Sequence, residues 1–310
     1  MLFPSTSFVE ALMEISVARL QFAHQFTCDA QLPRFKGGLW HGLFGASLHD
    51  VSESAFQCLF ATDQTRRRWA LRAPLQQDVR ISAGSELGSV LTLFGEAVVH
   101  RDACIDALTR MGERGFGKKA GRAPATVINI AFAGVHGNSI PASWKECVTL
   151  SLHDLFSSTA SEVCGIDGLR VELISPLHIN VHGKLVKRPP AMDLLMHRLL
   201  GRLLQLGPDT SQFRLNVNSE RVMLLDFAAN VELINCQIEN LRWYRYSARQ
   251  NRSMPMEGMQ GMLEYRAPAA QLYPWLKLAQ WTHLGAKTSF GLGAVRIEPP
   301  PGINTHHSGR

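Results

Sequence analysis

The chain has 310 residues, of which 45% are hydrophobic and 19% charged: long enough for one large or two ordinary domains, and too apolar for a disordered chain. Its opening, MLFPSTSFVEALMEISVARLQ, has no basic run ahead of an apolar one, and no window of about 18 uncharged apolar residues occurs, so neither secretion, a membrane span nor a membrane partner is expected. A net charge of +6 favours a polyanionic partner, while six cysteines without a C-x-x-C pair suggest neither a zinc site nor a disulfide framework; we expect no metal, no cofactor and a reducing cytoplasm.

In chain order, residues 14–27, EISVARLQFAHQFT, alternate as a strand, with Ile15 and Val17 on one face and Leu20, Phe22 and Phe26 on the other. The next segment, LPRFKGGLWHGLFGASLHDV, carries Leu39, Leu43 and Ala46 at helical spacing. Gly38, Gly42 and Gly45 recur along it and give the helix a thin face, against which either a strand or an RNA backbone packs closely. SELGSVLTLFGEAV then reads as a strand, RDACIDALTRMGERG as a helix closed by glycine, and ATVINIAFAGV as another strand. Further on, GLRVELISPLHINVHGK is strand-like, and PPAMDLLMHRLLGRLLQLG is an amphipathic helix with proline near its start and glycine at its end. EGMQGMLEYRAP is a strand, AAQLYPWLKLAQWTHLG a shorter helix, and GAVRIEP the last strand.

Both halves run from a helix through a glycine-rich turn into a strand: MGERGFGKKAGRAPATVINI in the first, HLGAKTSFGLGAVRIEP in the second. A duplicated βαββαβ unit accounts for this, with a boundary near residues 157–168. The expected fold is α+β, two tandem ferredoxin-like (RRM-like) domains over 1–160 and 166–300, followed by a flexible tail over 301–310.

Neither glycine-rich turn is an ATP loop. GERGFGKK has Lys119 where a magnesium-binding hydroxyl belongs, GAKTSFGLG has Ala286 where a glycine belongs, and both follow a helix instead of preceding one. Glycines beside Lys287, Thr288 and Ser289 nonetheless suit close approach to a phosphate, with a packing-shaped turn as the alternative. The basic residues cluster in TRRRWALR, ERGFGKKAGR, HGKLVKR and RWYRYSARQNR. The last interleaves arginines with aromatics, as single-stranded or looped RNA requires.

Taken together and in order, PRFKGGLWHGLFGASL, LTLFGEAV, GERGFG, ELISPLHI and YRYSARQNRSMPMEGMQGMLEY leading to HLGAKTSFGLGAVRI resemble the CRISPR-associated repeat-processing endoribonucleases of the RAMP superfamily. The resemblance implies a prokaryotic protein that binds a CRISPR repeat stem-loop and cuts it without a metal. The ribose 2′-OH attacks the adjacent phosphate, leaving 2′,3′-cyclic phosphate and 5′-OH ends; the product stays bound, and the enzyme joins other subunits of an effector complex. A catalytically silent subunit that only binds and caps crRNA is the alternative.

Such cleavage needs proton transfer and positive charge at the phosphorane-like transition state. His41 and His49 lie on the first predicted helix, about 80° apart around it. We expect an arginine-centred site of Arg19, Arg34 and Arg242 with His41 as the proton-transfer group. Lys36, His49, Lys118, Lys119, Arg198, Arg202, Arg245, Arg249, Lys287, Thr288 and Ser289 are the expected RNA contacts. Arg198 and Arg202, four residues apart, share one face of the amphipathic helix.

Overall fold

A computed structural model describes residues 4–61, 67–117, 121–141, 149–160, 168–247, 252–266 and 268–299. After helix α1 (Thr6–Met13), the first unit runs β1 (Ser16–Phe26), β2 (Ala30–Gln31), α2 (Gly37–Val51), α3 (Glu53–Phe56), β3 (Trp69–Arg72), β4 (Arg80–Ile81), β5 (Glu86–Phe94), α4 (Arg101–Arg114), β6 (Ala125–Ala133), β7 (Ser139–Pro141), β8 (Leu150–Ser151) and α5 (Leu152–Ala160). The second comprises β9 (Leu169–Leu177), the β10 (Asn180–Val181) and β11 (Lys184–Leu185) ribbon, α6 (Met192–Leu206), α7 (Ser211–Asn218), α8 (Arg221–Ala229), β12 (Leu233–Ser247), β13 (Arg252–Tyr265), α9 (Tyr273–Thr282) and β14 (Val295–Glu298).

The two main sheets have the same weave. Strands run β3-β5-β1-β6-β7 in the first and β12-β13-β9-β14 in the second, so each unit's first strand lies between its third and fourth, as βαββαβ topology demands. The tandem ferredoxin-like expectation is met. The sequence reading had left out the second strand of each unit, β3 and β12, together with helices α1, α7 and α8.

Strand β1 shows why the units fold against each other. Val17, with Ile15 just ahead of it, enters the core of the second unit; Leu20, Phe22 and Phe26 enter the core beneath α2 and α4. Helices α1 and α5 also bury Phe8, Leu12, Leu155 and Phe156 among α9 residues such as Trp275. Full burial of a side chain of this size contributes roughly 1.5–3 kcal/mol. Among the described residues, no helix is long and apolar enough to cross a membrane.

Two arginines, Arg202 buried and Arg19 half-buried, tie the units. Arg202 donates from Nε to the Thr282 carbonyl (3.2 Å), from Nη1 to that of Arg67 (3.0 Å) and from Nη2 to that of Trp69 (3.2 Å). Arg19 spans the seam too: its guanidinium lies 3.9 Å from the Trp281 ring centre, donating to Thr92 and to the Gln280 carbonyl.

Candidate active site

The glycine-rich turn between α9 and β14 is a closed structural loop. Gly285, Gly291 and Gly293 have φ of 74°, 83° and 74°, which side-chain-bearing residues rarely adopt. A Cβ on Gly293 would lie 1.9 Å from the Leu284 carbonyl oxygen, and one on Gly285 2.4 Å from that of His178. The amides of Leu284, Ala286, Phe290, Gly291 and Gly293 all donate to protein carbonyls, so the glycines serve this self-closure first. Lys287 stands at its corner in the left-handed region, φ 62°.

This loop also packs against the first turn of α2, at Gly37, whereas the thin face of Gly38, Gly42 and Gly45 lies elsewhere. A Cβ on Gly37 would sit 2.0 Å from the Phe290 carbonyl oxygen, and one on Gly38 3.4 Å from Arg245; Gly45 is closed off by the Phe60 ring, and Gly42 stays open. Of the expected apolar stripe only Leu43 is fully buried. The helix turns Trp40, Leu43, Phe44 and Leu48 inward, because the large aromatics take the core side.

His41 lies at this junction. Its ring stacks on Phe290 with centroids 3.7 Å apart, and Nδ1 is 3.0 Å from the Ser289 carbonyl oxygen. A carbonyl only accepts, so Nδ1 carries the proton and Nε2 keeps its lone pair. Burial, then the charges of Arg67 and Arg245, push the imidazole pKa down to about 3, against the opposing pull of the Ser289 bond. It is therefore a neutral base with one free nitrogen at ordinary pH. Arg67 donates from Nη1 to Ser289 Oγ (2.9 Å), and the Arg245 guanidinium lies 4.4 Å from the Phe290 ring centre. His41 and His49 both line a groove of about 440 Å³ with Phe56, Phe60 and Arg114.

The predicted residues separate into three groups. His41, Arg245 and the 287–289 loop come together, although the loop was expected to stand apart from the cutting residues; Thr288 and Ser289 are buried and Ser289 is spent on His41 and Arg67. His49 is exposed beside Glu53, 3.2 Å away, on the same groove. The arginine-centred trio is not assembled: Arg19 and Arg202 are interdomain struts, and Arg34 is exposed ahead of α2. Arg242 pairs with Glu257 at 3.0 Å on the outer face of β12. Because strand side chains alternate, Trp243 and Arg245 face Phe35 and Phe290 while Arg242 and Tyr244 face away. Lys36 is 1% exposed and donates to the Gln76 and Asp78 carbonyls, pinning the chain before β4, which removes it from any RNA surface. Arg198 holds the Asn180 carbonyl. Lys118, Lys119 and Arg249 lie outside the described residues.

Arg67 was missed as an individual residue although its cluster, TRRRWALR, was noted; nothing in that run marks which of three arginines turns inward. Among the described residues, no group of three or more His, Cys, Asp or Glu is placed to hold a metal ion.

Residues 171–295 match the family model for the CRISPR-associated endoribonuclease Cas6, and residues 13–146 match one described as an N-terminal domain. A Cas6 product complex superposes with a TM-score of 0.58 at 18% identity, over 91% of this chain and 99% of that one. Thermus thermophilus Cas6 gives 0.59 at 15%, over 92% and 99%. A partial Cas6-RT-Cas1–Cas2 complex gives 0.64 at 14%, over 93% of this chain and 46% of the other. These likenesses are of fold. No curated protein matches the chain. Residues 171–295 are thus similar to the Cas6 family of CRISPR-associated endoribonucleases, and the chain as a whole shares the tandem ferredoxin-like fold of solved Cas6 structures.

Proposed function

We propose that the chain cleaves precursor crRNA at the junction of α2 and the glycine-rich loop, with His41 as the proton-transfer group. The observation that carries this is the Nδ1 bond to the Ser289 carbonyl, which fixes the tautomer and leaves Nε2 unprotonated beside two arginines. Nε2 takes the proton of a ribose 2′-OH as its oxygen attacks the neighbouring phosphorus. The bond to the 5′-oxygen breaks and that oxygen takes a proton from water, leaving 2′,3′-cyclic phosphate and 5′-OH ends. Arg245 faces the charge that accumulates on the phosphorane oxygens, and Arg67 adds positive field from behind the loop. No metal enters this scheme. The partner is a repeat stem-loop, the product stays bound, and the protein serves as a subunit alongside other CRISPR components; similarity to a product complex and to a Cas6-RT-Cas1–Cas2 assembly supports that reading.

The test is incubation of purified protein with its cognate repeat RNA in EDTA. Fragments ending in 2′,3′-cyclic phosphate are expected; tight binding of RNA that stays intact would leave a silent capping subunit instead.

A further inference from the structure

Behind the loop, a second cavity of about 350 Å³ opens between α6 and residues 285–290. It shares no lining residue with the groove of His41. Ser289 and Phe290, which touch His41, form part of its wall. Around it stand Arg67, Arg198, Lys287, His178 and His197, and among the described residues no aspartate or glutamate lines it.

Several donors in this wall have nothing to donate to. Arg67 is 9% exposed and spends Nη1 on Ser289 Oγ, but its Nε is buried without an acceptor. Arg198 spends Nη2 on the Asn180 carbonyl, and its Nε is equally orphaned. His197 accepts from Arg221 on Nε2 (2.7 Å), so Nδ1 carries the proton, and that atom too is buried without a partner. Glu257, whose charge acts on Lys287, is already paired with Arg242 at 3.0 Å. Arg202 also lines the cavity, but it is committed to three carbonyls.

Buried N–H groups are normally satisfied, and buried cations normally have counter-charge. Unfilled guanidinium and imidazole donors around a cavity without carboxylates form the donor set that accepts an oxyanion. We infer that this cavity is a phosphate subsite, distinct from the groove of His41, which takes the phosphate of a nucleotide. Small adjustments of the Arg67 and Arg198 side chains bring their idle donors onto its oxygens, and the volume leaves room for the attached sugar. The phosphate comes either from the bound RNA, in which case the inference rests on the RNA-processing reading, or from a free nucleotide.

The experiment is calorimetric titration of the full chain with inorganic phosphate and adenosine 5′-monophosphate, with adenosine as the uncharged control, beside repeat-RNA affinity. Phosphate and the monophosphate are expected to bind and adenosine not to. Arg198→Gln and Lys287→Gln should each weaken that binding by about tenfold, the loss of one charge-assisted contact. Lys287→Gln is the safer variant, because Arg198 also holds Asn180. If RNA supplies the phosphate, both variants lose repeat affinity by a similar factor and bound RNA displaces the monophosphate; if a free nucleotide does, repeat affinity is unchanged. Phosphate heats no larger than those of adenosine, or binding undiminished in both variants, overturn the subsite. His41→Ala keeps phosphate binding, so a protein that binds phosphate and cuts nothing sinks the nuclease reading alone.

Discussion

His41 is set apart from the other buried histidines by what surrounds its ring. His24 and His283 also bond backbone carbonyls, those of Leu108 and Leu292, but are wholly enclosed. His41 is half-buried and borders a groove, beside Arg67 and Arg245, so its unprotonated nitrogen has both access and positive company. The two arginines of β12 make the same point by contrast. Arg245, facing Phe290, is expected to matter for chemistry: Arg245→Ala should lower the single-turnover cleavage rate by about 10²–10³, the range for losing a transition-state charge contact. Arg242→Ala, which removes an exposed ion pair with Glu257, should change it by less than about fivefold. Equal losses in the two variants would show that the alternation along β12 does not divide their roles.

Helix α2 and the loop over residues 284–293 function as one element, joined where Gly37 meets the Phe290 carbonyl. Gly37→Ala forces that carbonyl away, and the Ser289 carbonyl with it, so the variant should lose cleavage by at least about tenfold and lose roughly 1–3 kcal/mol of stability through overpacking. Gly42→Ala meets nothing within 4 Å and should gain up to about 1 kcal/mol from helix propensity. Thermal unfolding of both variants alongside cleavage rates checks the pair. That a thin helix face existed was legible in the spacing of Gly38, Gly42 and Gly45, but only Gly38 and Gly45 meet close neighbours, the Arg245 and Phe60 side chains, and Gly42 stays open. The contact of Gly37 with the loop was not legible, because Phe290 is more than 250 residues downstream and local periodicity carries no information about such contacts. Long periodic elements such as α4, α6 and β5 were legible in the same way. Strand β3 has only four residues, and β12 carries charges and aromatics on a two-sided hairpin, so neither shows a one-faced alternation. The same limit hid where Arg19, Lys36 and Arg202 point: an arginine or lysine donating to carbonyls inside the fold looks, in sequence, like one waiting for a phosphate.

At the scale of the whole molecule, the two units are held in register by struts that cross the seam, and the site lies where they meet. His24 and His283 are enclosed in this scaffold, and burial is the largest cause lowering their pKa values to about 4 and about 3. A histidine whose folded value is depressed binds more protons unfolded than folded between that value and about 6.5, so stability is lost as pH falls through that window. Between pH 7 and pH 5 the loss should be roughly 2 kcal/mol for each of the two, measurable by urea unfolding, and a stability that is flat or rises toward pH 5 would contradict their burial as neutral rings. The central claim is that one tautomer-fixed histidine, presented by the first unit and oriented by the second, moves the proton in repeat cleavage. Single-turnover cleavage of the cognate repeat by His41→Ala tests it most directly. The account predicts a rate reduced by about 10²–10⁴ with repeat affinity retained; cleavage at the unaltered rate would contradict it.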